Sequence, residues 1–416
     1  MAGVTIVGVS FDGGRTDEFI VAACVPPDDH ASGTLEAADS IRRMHPHVVV
    51  DDIYGAAVVG DDAKVERLLE ADAARATAPG GPYGWDALTY LCFSQYLRLR
   101  PSAGFLRAAR ALLDAGADPN TGFFESAHQP EPVFESVIYG AAGVAHHAEL
   151  TRLLLDRGAD PNLGDVAYHA PEGFDPEAMR AVVESGRLSP AGLTTMLHRK
   201  LDWTDLEGVR WLLEHDVDPN ALSGWGDRAL HHSLARDNAL AFLELLLDFG
   251  GDPTLTAPRH EDRSAVVVAA RCGRADALEL FGSRGFATEL DGDDAFFAAL
   301  SRGYRSRTHA FVTNEPRIAE RLKASQPEIV ATLAGAGNTA GLELALDLGF
   351  PMSADALAVA VWRERTGAVR LLLDRGALVS VSEIALAERA LTEMSEWTPH
   401  HSRDILDALQ ASASEP

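Results

Sequence analysis

The sequence predicts an all-α fold, a solenoid of about ten helix-turn-helix units with short β-hairpin-type turns, a degenerate central unit and helical caps. Three observations carry that prediction. The pentapeptide Gly-Ala-Asp-Pro-Asn occurs at Gly116–Asn120 and again at Gly158–Asn162, with weaker echoes in "LLEHDVDPNAL" and "LLLDFGGDPTL". Helix stops recur at Asp72, Gly116, Gly158, Gly186, Asp216, Gly250, Gly285, Gly349 and Gly376, at a mean spacing close to 33 residues once the 64-residue gap is read as two units. Composition permits a large core: 416 residues, 46% apolar.

The elements follow in chain order. Residues 1–50 lie outside the repeat grammar and form an N-terminal segment and helical cap. "VTIVGVSF" (Val4–Phe11) reads as a strand. "TDEFIVAAC" and "GTLEAADSIRRMHP" read as two helices, with Thr34 as a cap residue. Residues 51–381 form the solenoid. Each unit has a short helix, a tight turn, a longer helix and a stop. His198 lies eighteen residues before Asp216, and Val267 eighteen before Gly285. The "LLL" runs bury one face of the second helix. The glycine that follows takes the left-handed conformation that ends it, and Asp-Pro-Asn fixes the turn. No unit buries its own apolar face, so the units are stable only together.

Breaks in the pattern are also legible. The second unit carries an insertion at Cys92–Phe105, and the third a smaller one at Gly140–Leu150. Pro171 cuts short the first helix of the degenerate fourth unit. "RGYRSRTHAFVTNEP" (Arg302–Pro316) reads as a long connection. Residues 382–416 form a capping repeat with an insertion and a frayed tail, "ASASEP".

The short helices carry "RALHHSLA" (Arg228–Ala235), "TMLHRK" (Thr195–Lys200) and "SAVVVAA" (Ser264–Ala270), with "GWDALTYL" (Gly84–Leu91) in the same frame. Together with the 33-residue period, these resemble the ankyrin repeat and its T-P-L-H-x-A signature. The resemblance runs from about Asp51 to the C-terminus. It implies that His198 and His231 are structural hydrogen-bond partners. It also implies that first helices and hairpin tips line a concave binding face.

Residues in those free positions are of the types that anchor interfaces. Hairpin tips supply Tyr83, Trp85 and Trp225. First helices supply Tyr90, Phe93 and Tyr139 early in the chain. Arg199, Asp202 and Trp203 follow, then His232 and Arg236. Arg271, Trp362 and Arg363 complete the row, and His169 falls in or beside the histidine slot of the fourth unit. Trp211, on a second helix, is expected in the core.

Two functions fit. The first is a non-catalytic scaffold that holds a protein partner on the concave face. The second is a small-molecule pocket or atypical enzyme on that face, using Tyr90, His146, His169, Arg199, Asp202, Trp203 and His232 for proton transfer among aromatics.

Other chemistry finds no motif. "GVSFDGGRT" (Gly8–Thr16) places Gly14 where a phosphate loop needs lysine. Histidine pairs such as His45-x-His47, His146–His147, His231–His232 and His400–His401 lack metal-ligand spacing, so neither metal nor cofactor is expected. A net charge of −26 disfavours nucleic acid and anionic membranes, and no apolar run is long enough for a span. Cys24, Cys92 and Cys272 are scattered and read as reduced thiols of a cytoplasmic protein. With 33 arginines against 3 lysines, the composition suggests GC-rich coding and a bacterial source.

Overall fold

The computed structural model describes residues 14–27, 32–49, 52–125, 131–393 and 403–413. The expected strand Val4–Phe11, most of the Gly8–Thr16 loop, the pair His400–His401 and the last three residues lie outside them. The chain forms two compact units, Met1–Asp218 and Pro219–Pro416, each built of stacked helix pairs.

The first unit opens with the cap helices Arg15–Ala23 and Glu36–Met44. Leu35, not Thr34, is the N-cap of the second, and no side chain caps it. Five pairs follow. Their first helices are Ile53–Val58, Ala87–Cys92, Val137–Tyr139 with its π-turn Gly140–Val144, Val166–His169 and Pro190–Asp202. The second unit runs from Ala229–Ala235 to a closing pair, Val381–Glu393 and Arg403–Ala413. The paired strands Gly122–Glu125 and Val133–Ser136, and the two-residue strands Thr256–Ala257 and Arg263–Ser264, are the hairpins between repeats.

Short polar side chains start the first helices. Asp86 Oδ1 accepts from Thr89 N at 2.8 Å, Ser136 Oγ from Tyr139 N at 3.2 Å, and Ser264 Oγ from Val267 N at 3.4 Å. The leucine runs are core: Leu112, Leu154, Leu212, Leu246 and Leu372 are fully buried. The stops Gly116 and Gly158 sit at φ 102° and 96°, as a left-handed C-cap requires, and Asp216 takes φ 61° in the same role. Asp72 does not. It is extended at φ −160° and caps the next turn through Ala74 N.

The recurring asparagine does more than shape its own turn. Asn120 Oδ1 accepts from Asp160 N at 2.7 Å, and its Nδ2 donates to Gly158 O at 3.3 Å. Asn162 repeats this with Ser189 N and Arg187 O, and Asn220 with Asp252 N and Gly250 O. Each asparagine thus ties its turn to the next one, which is the physical reason for writing the turn repeatedly.

Other expectations are corrected. The Cys92–Phe105 insertion holds an extra helix, Gln95–Leu99, capped by Ser94 Oγ. The smaller insertion at Gly140–Leu150 is taken up as the π-turn Gly140–Val144 rather than as a loop. The supposed connection Arg302–Pro316 is helical over Arg305–Asn314. Only Thr308 of that helix is buried, so no apolar stripe announces it. Residues 411–413 of the tail complete the last helix. Trp211 is half-buried, stacked on His215 at 3.8 Å, rather than core. Pro171 acts as expected: the helix before it is only four residues long, Val166–His169.

Candidate functional site

The first unit threads aromatic rings from repeat to repeat. Tyr54 meets Tyr90 (centroids 5.4 Å apart), Tyr90 meets Trp85 (5.1 Å), and Trp85 stacks on Phe123 (4.3 Å). Phe123 meets Phe93 (4.9 Å), Phe93 meets Tyr139 (5.9 Å), and Tyr139 meets His169 (5.6 Å). His169 packs edge-on to Tyr168 (4.7 Å), over which the Arg199 guanidinium lies at 4.0 Å.

The early part of this chain is core, which corrects the expectation of a surface row. Trp85, Tyr90, Phe93 and Tyr139 are buried; Tyr83, stacked on Trp85 at 4.6 Å, is half-buried. The reason is the hairpin tip. Tyr90 Oη donates to Gly80 O and accepts from Tyr83 N, both at 2.9 Å, so its one polar atom is satisfied inside. Burial pushes the Tyr90 and Tyr139 phenols well above the ordinary tyrosine range.

The later part is only partly buried and brings four predicted residues together, His169, Arg199, Asp202 and Trp203, with the Arg199 side chain 13% exposed. Arg199 donates to Asp202 Oδ2 at 2.8 Å, to Glu172 Oε1 at 2.7 Å and to Tyr168 O at 3.2 Å. Glu172 also meets His169 Nδ1 at 3.0 Å. Trp203 faces the exposed Phe174 edge-on at 6.3 Å. Glu172, Tyr168 and Phe174 were missed from sequence; Glu172 had the one available signal, its place three residues after His169.

The second unit places the other predicted residues around buried carboxylates. Asp227 accepts from Arg228 N at 2.9 Å and meets His232 Nδ1 at 3.2 Å and His260 Nε2 at 3.1 Å. Burial alone would raise its pKa. The hydrogen bonds and charge of the two imidazoles outweigh it and hold the carboxyl well below the usual range. Trp225, in the preceding loop, is 45% exposed. His231 is buried with Nε2 on Arg263 O at 3.0 Å, and His198 of the first unit with Nδ1 on Thr194 O at 2.8 Å. Both fill the structural role the repeat implies. Burial lowers the His231 pKa.

Arg271 pairs with Asp294 at 2.6 Å, Arg236 is exposed, and Trp362 is 60% exposed beside Arg363. Asp237, also unforeseen, gathers Arg274 and Arg363 at 3.4 Å each, and Arg365. Of the proton-transfer set, His169, Arg199, Asp202 and Trp203 share one patch, whereas Tyr90 is in the core and His232 belongs to Asp227. His146 is half-buried at φ 48°. Among the described residues, no group of three or more His, Cys, Asp or Glu is arranged to hold a metal ion, and no helix is long and apolar enough to cross a membrane.

Residues 197–247 match the family model described as ankyrin repeats (many copies). No curated protein matches the chain. Among solved structures, the human ASB11 ankyrin repeat domain is similar, at 17% identity and a TM-score of 0.24, over 53% of this chain and 98% of that one.

Proposed function

We propose that the chain, which matches the ankyrin-repeat model over residues 197–247, is a binding scaffold for a protein partner, with the Arg199 patch of the first unit as its anchor. Ankyrin repeats are generally protein–protein interaction modules. One observation carries the location. Arg199 lies 4.0 Å over the Tyr168 ring and is held by Glu172 and Asp202, and the nearby Trp203 packs on the exposed Phe174. A guanidinium and two rings already held in place lose little conformational entropy on binding, and these are the residue types that dominate interface energetics. Trp225 is a second exposed anchor, in the second unit. A cytoplasmic setting suits three cysteines that form no disulfide.

The test is affinity capture from lysate of the source cell. Wild type is compared with Phe174→Ala/Trp203→Ala and with Trp225→Ala, each shown by circular dichroism to be folded. A protein held by wild type and lost by the double variant supports the reading. Equal retention by all three overturns the location. Capture of a small molecule with no protein overturns the scaffold itself.

A further inference from the structure

A cleft of about 220 Å³ lies within the second unit, among the ends of three first helices and the turn that starts at Asp237. Leu234, Ala331 and Val359 give it apolar walls, and Thr332, Cys272 and Arg363 bring a hydroxyl, a thiol and a guanidinium. Its volume exceeds the roughly 150 Å³ that accommodates a benzene ring.

The charge at one end is unevenly shared. Arg274 has a carboxylate of its own in Asp276, at 2.8 and 2.9 Å through two nitrogens. Arg365 donates to Gly335 O at 3.0 Å and also pairs with Asp237. Arg363 has Asp237 as its ionic partner, at 3.4 Å, and must share it with the other two. Arg363 is therefore held in place with most of its five N–H donors unspent. Its side chain stays 38% exposed. The wall beside it is bare backbone. A Cβ on Gly335 would come within 2.7 Å of Val359 Cγ1 and 3.6 Å of Arg363 Nη1. The first approach is a clash and the second an ordinary contact, so glycine here permits the close packing of the two helices.

We propose that this cleft binds a small apolar monocarboxylate, its carboxylate on Arg363 and its hydrocarbon body between Leu234, Ala331 and Val359. The planar guanidinium offers the paired donors that a carboxylate takes bidentately. The single under-shared cation favours one negative charge. An uncharged analogue of the same shape would partly desolvate Arg363 while adding no acceptor to its share of Asp237, which is unfavourable.

Cys272 makes the site testable without knowing the natural ligand, because it lines the cleft whereas Cys24 and Cys92 are buried. Iodoacetate is itself a small carboxylate, and iodoacetamide is its neutral counterpart. In the full chain, the iodoacetate-to-iodoacetamide rate ratio at Cys272, read by peptide mass spectrometry, should exceed that of free glutathione by about tenfold, the scale of one charge-assisted pair. Benzoate should slow labelling, and benzyl alcohol at equal concentration should not. Arg363→Gln should bring the ratio to the glutathione value, and Arg363→Lys should keep part of the preference. Labelling of Cys24 or Cys92 would reveal an unfolded variant. In that case the wild-type contrast between benzoate and benzyl alcohol decides. Equal protection by the two, protection by neither, or a ratio unchanged in folded Arg363→Gln overturns the proposal. So does a Cys272 that neither reagent labels.

Discussion

The two units solve the same packing problem with different chemistry. In the first, irregular repeats are joined by rings, and along the Tyr54–Arg199 chain contacts within a repeat alternate with contacts to the neighbouring one, the latter at Tyr54–Tyr90, Phe93–Tyr139, Tyr139–His169 and Arg199–Tyr168. In the second, carboxylates do the joining, and one of them skips neighbours: Asp237 pairs with Arg365, 128 residues away. A regular repeat stack behaves as a one-dimensional chain with nearest-neighbour coupling only. Among the described residues, the five repeats of the first unit keep to that rule, and only its cap reaches past the first repeat to the second, where Tyr96 Oη donates to Asp39 Oδ1 at 2.8 Å. The second breaks it: Asp237 joins its own repeat to the next one through Arg274 and to a distant one through Arg363 and Arg365.

That difference predicts unequal mutational reach. Removing Asp237 leaves Arg274 with Asp276 and leaves Arg363 and Arg365, 38% and 34% exposed, without that carboxylate, at a cost of about 1–3 kcal/mol. Asp237→Ala should therefore lower hydrogen-exchange protection together across Ala229–Asp374 and spare the first unit. Loss of protection confined to the turn at 237 would break the comparison. Trp85→Ala removes a buried ring and costs more, about 3–5 kcal/mol. Its effect should centre on the repeats around Tyr54, Tyr90 and Phe123 and fade by Leu206–Glu214.

The two chemistries also titrate at opposite ends of the pH scale. Tyr90 and Tyr139 have folded pKa values raised by burial, and Tyr96 is pushed up to about 12, by burial first and then by its hydrogen bond to Asp39. An acid with a raised folded pKa contributes stability that is complete below its unfolded value, near 10.0, and is lost as pH rises beyond it. His231 and Asp227 have lowered folded values. Their contributions are complete above the unfolded values of 6.5 and 3.8, and fade as pH falls through each in turn. Pulse proteolysis in urea, with fragments assigned by mass spectrometry, should find the first unit weakened above pH 10 and the second weakened first below pH 6.5. Parallel pH profiles for the two units would show that these side chains do not set their stability.

How far this was legible differs by level. The frame was readable because it is local: leucine runs, glycine stops and Asp-Pro-Asn turns recur at a fixed period, and each is dictated by backbone geometry. The patch was readable in part. Arg199, Asp202 and Trp203 were found by slot, but the slot does not reveal burial. Tyr90 and Trp85 occupy positions that face solvent in a regular repeat, and here the Gln95–Leu99 helix and the 122–136 hairpin accompany a buried aromatic cluster. Asp237 was illegible for a different reason. Its partners lie up to 128 residues away, and no periodic pattern encodes a contact that skips repeats.

The asparagine ties are where the comparison should vanish. Asn120 in the first unit and Asn220 in the second each bond the next turn through the same two backbone groups, at 2.7 and 3.3 Å and at 2.8 and 2.9 Å. Asn120→Ala and Asn220→Ala should cost the same, roughly 1 kcal/mol each, because partly exposed hydrogen bonds are individually modest. The fourth echo has Thr254 in that slot. Its hydroxyl turns back to Asp252 Oδ1 at 2.6 Å and is too short to cross to the next turn. Thr254→Asn should extend the ladder to Gly285 O and Ala287 N and raise the urea midpoint of the second unit, a gain of about 0.5–1 kcal/mol. An unchanged midpoint would mean that the two turns are not spaced as the others are. The threonine would then mark the place where the second unit leaves the regular stack.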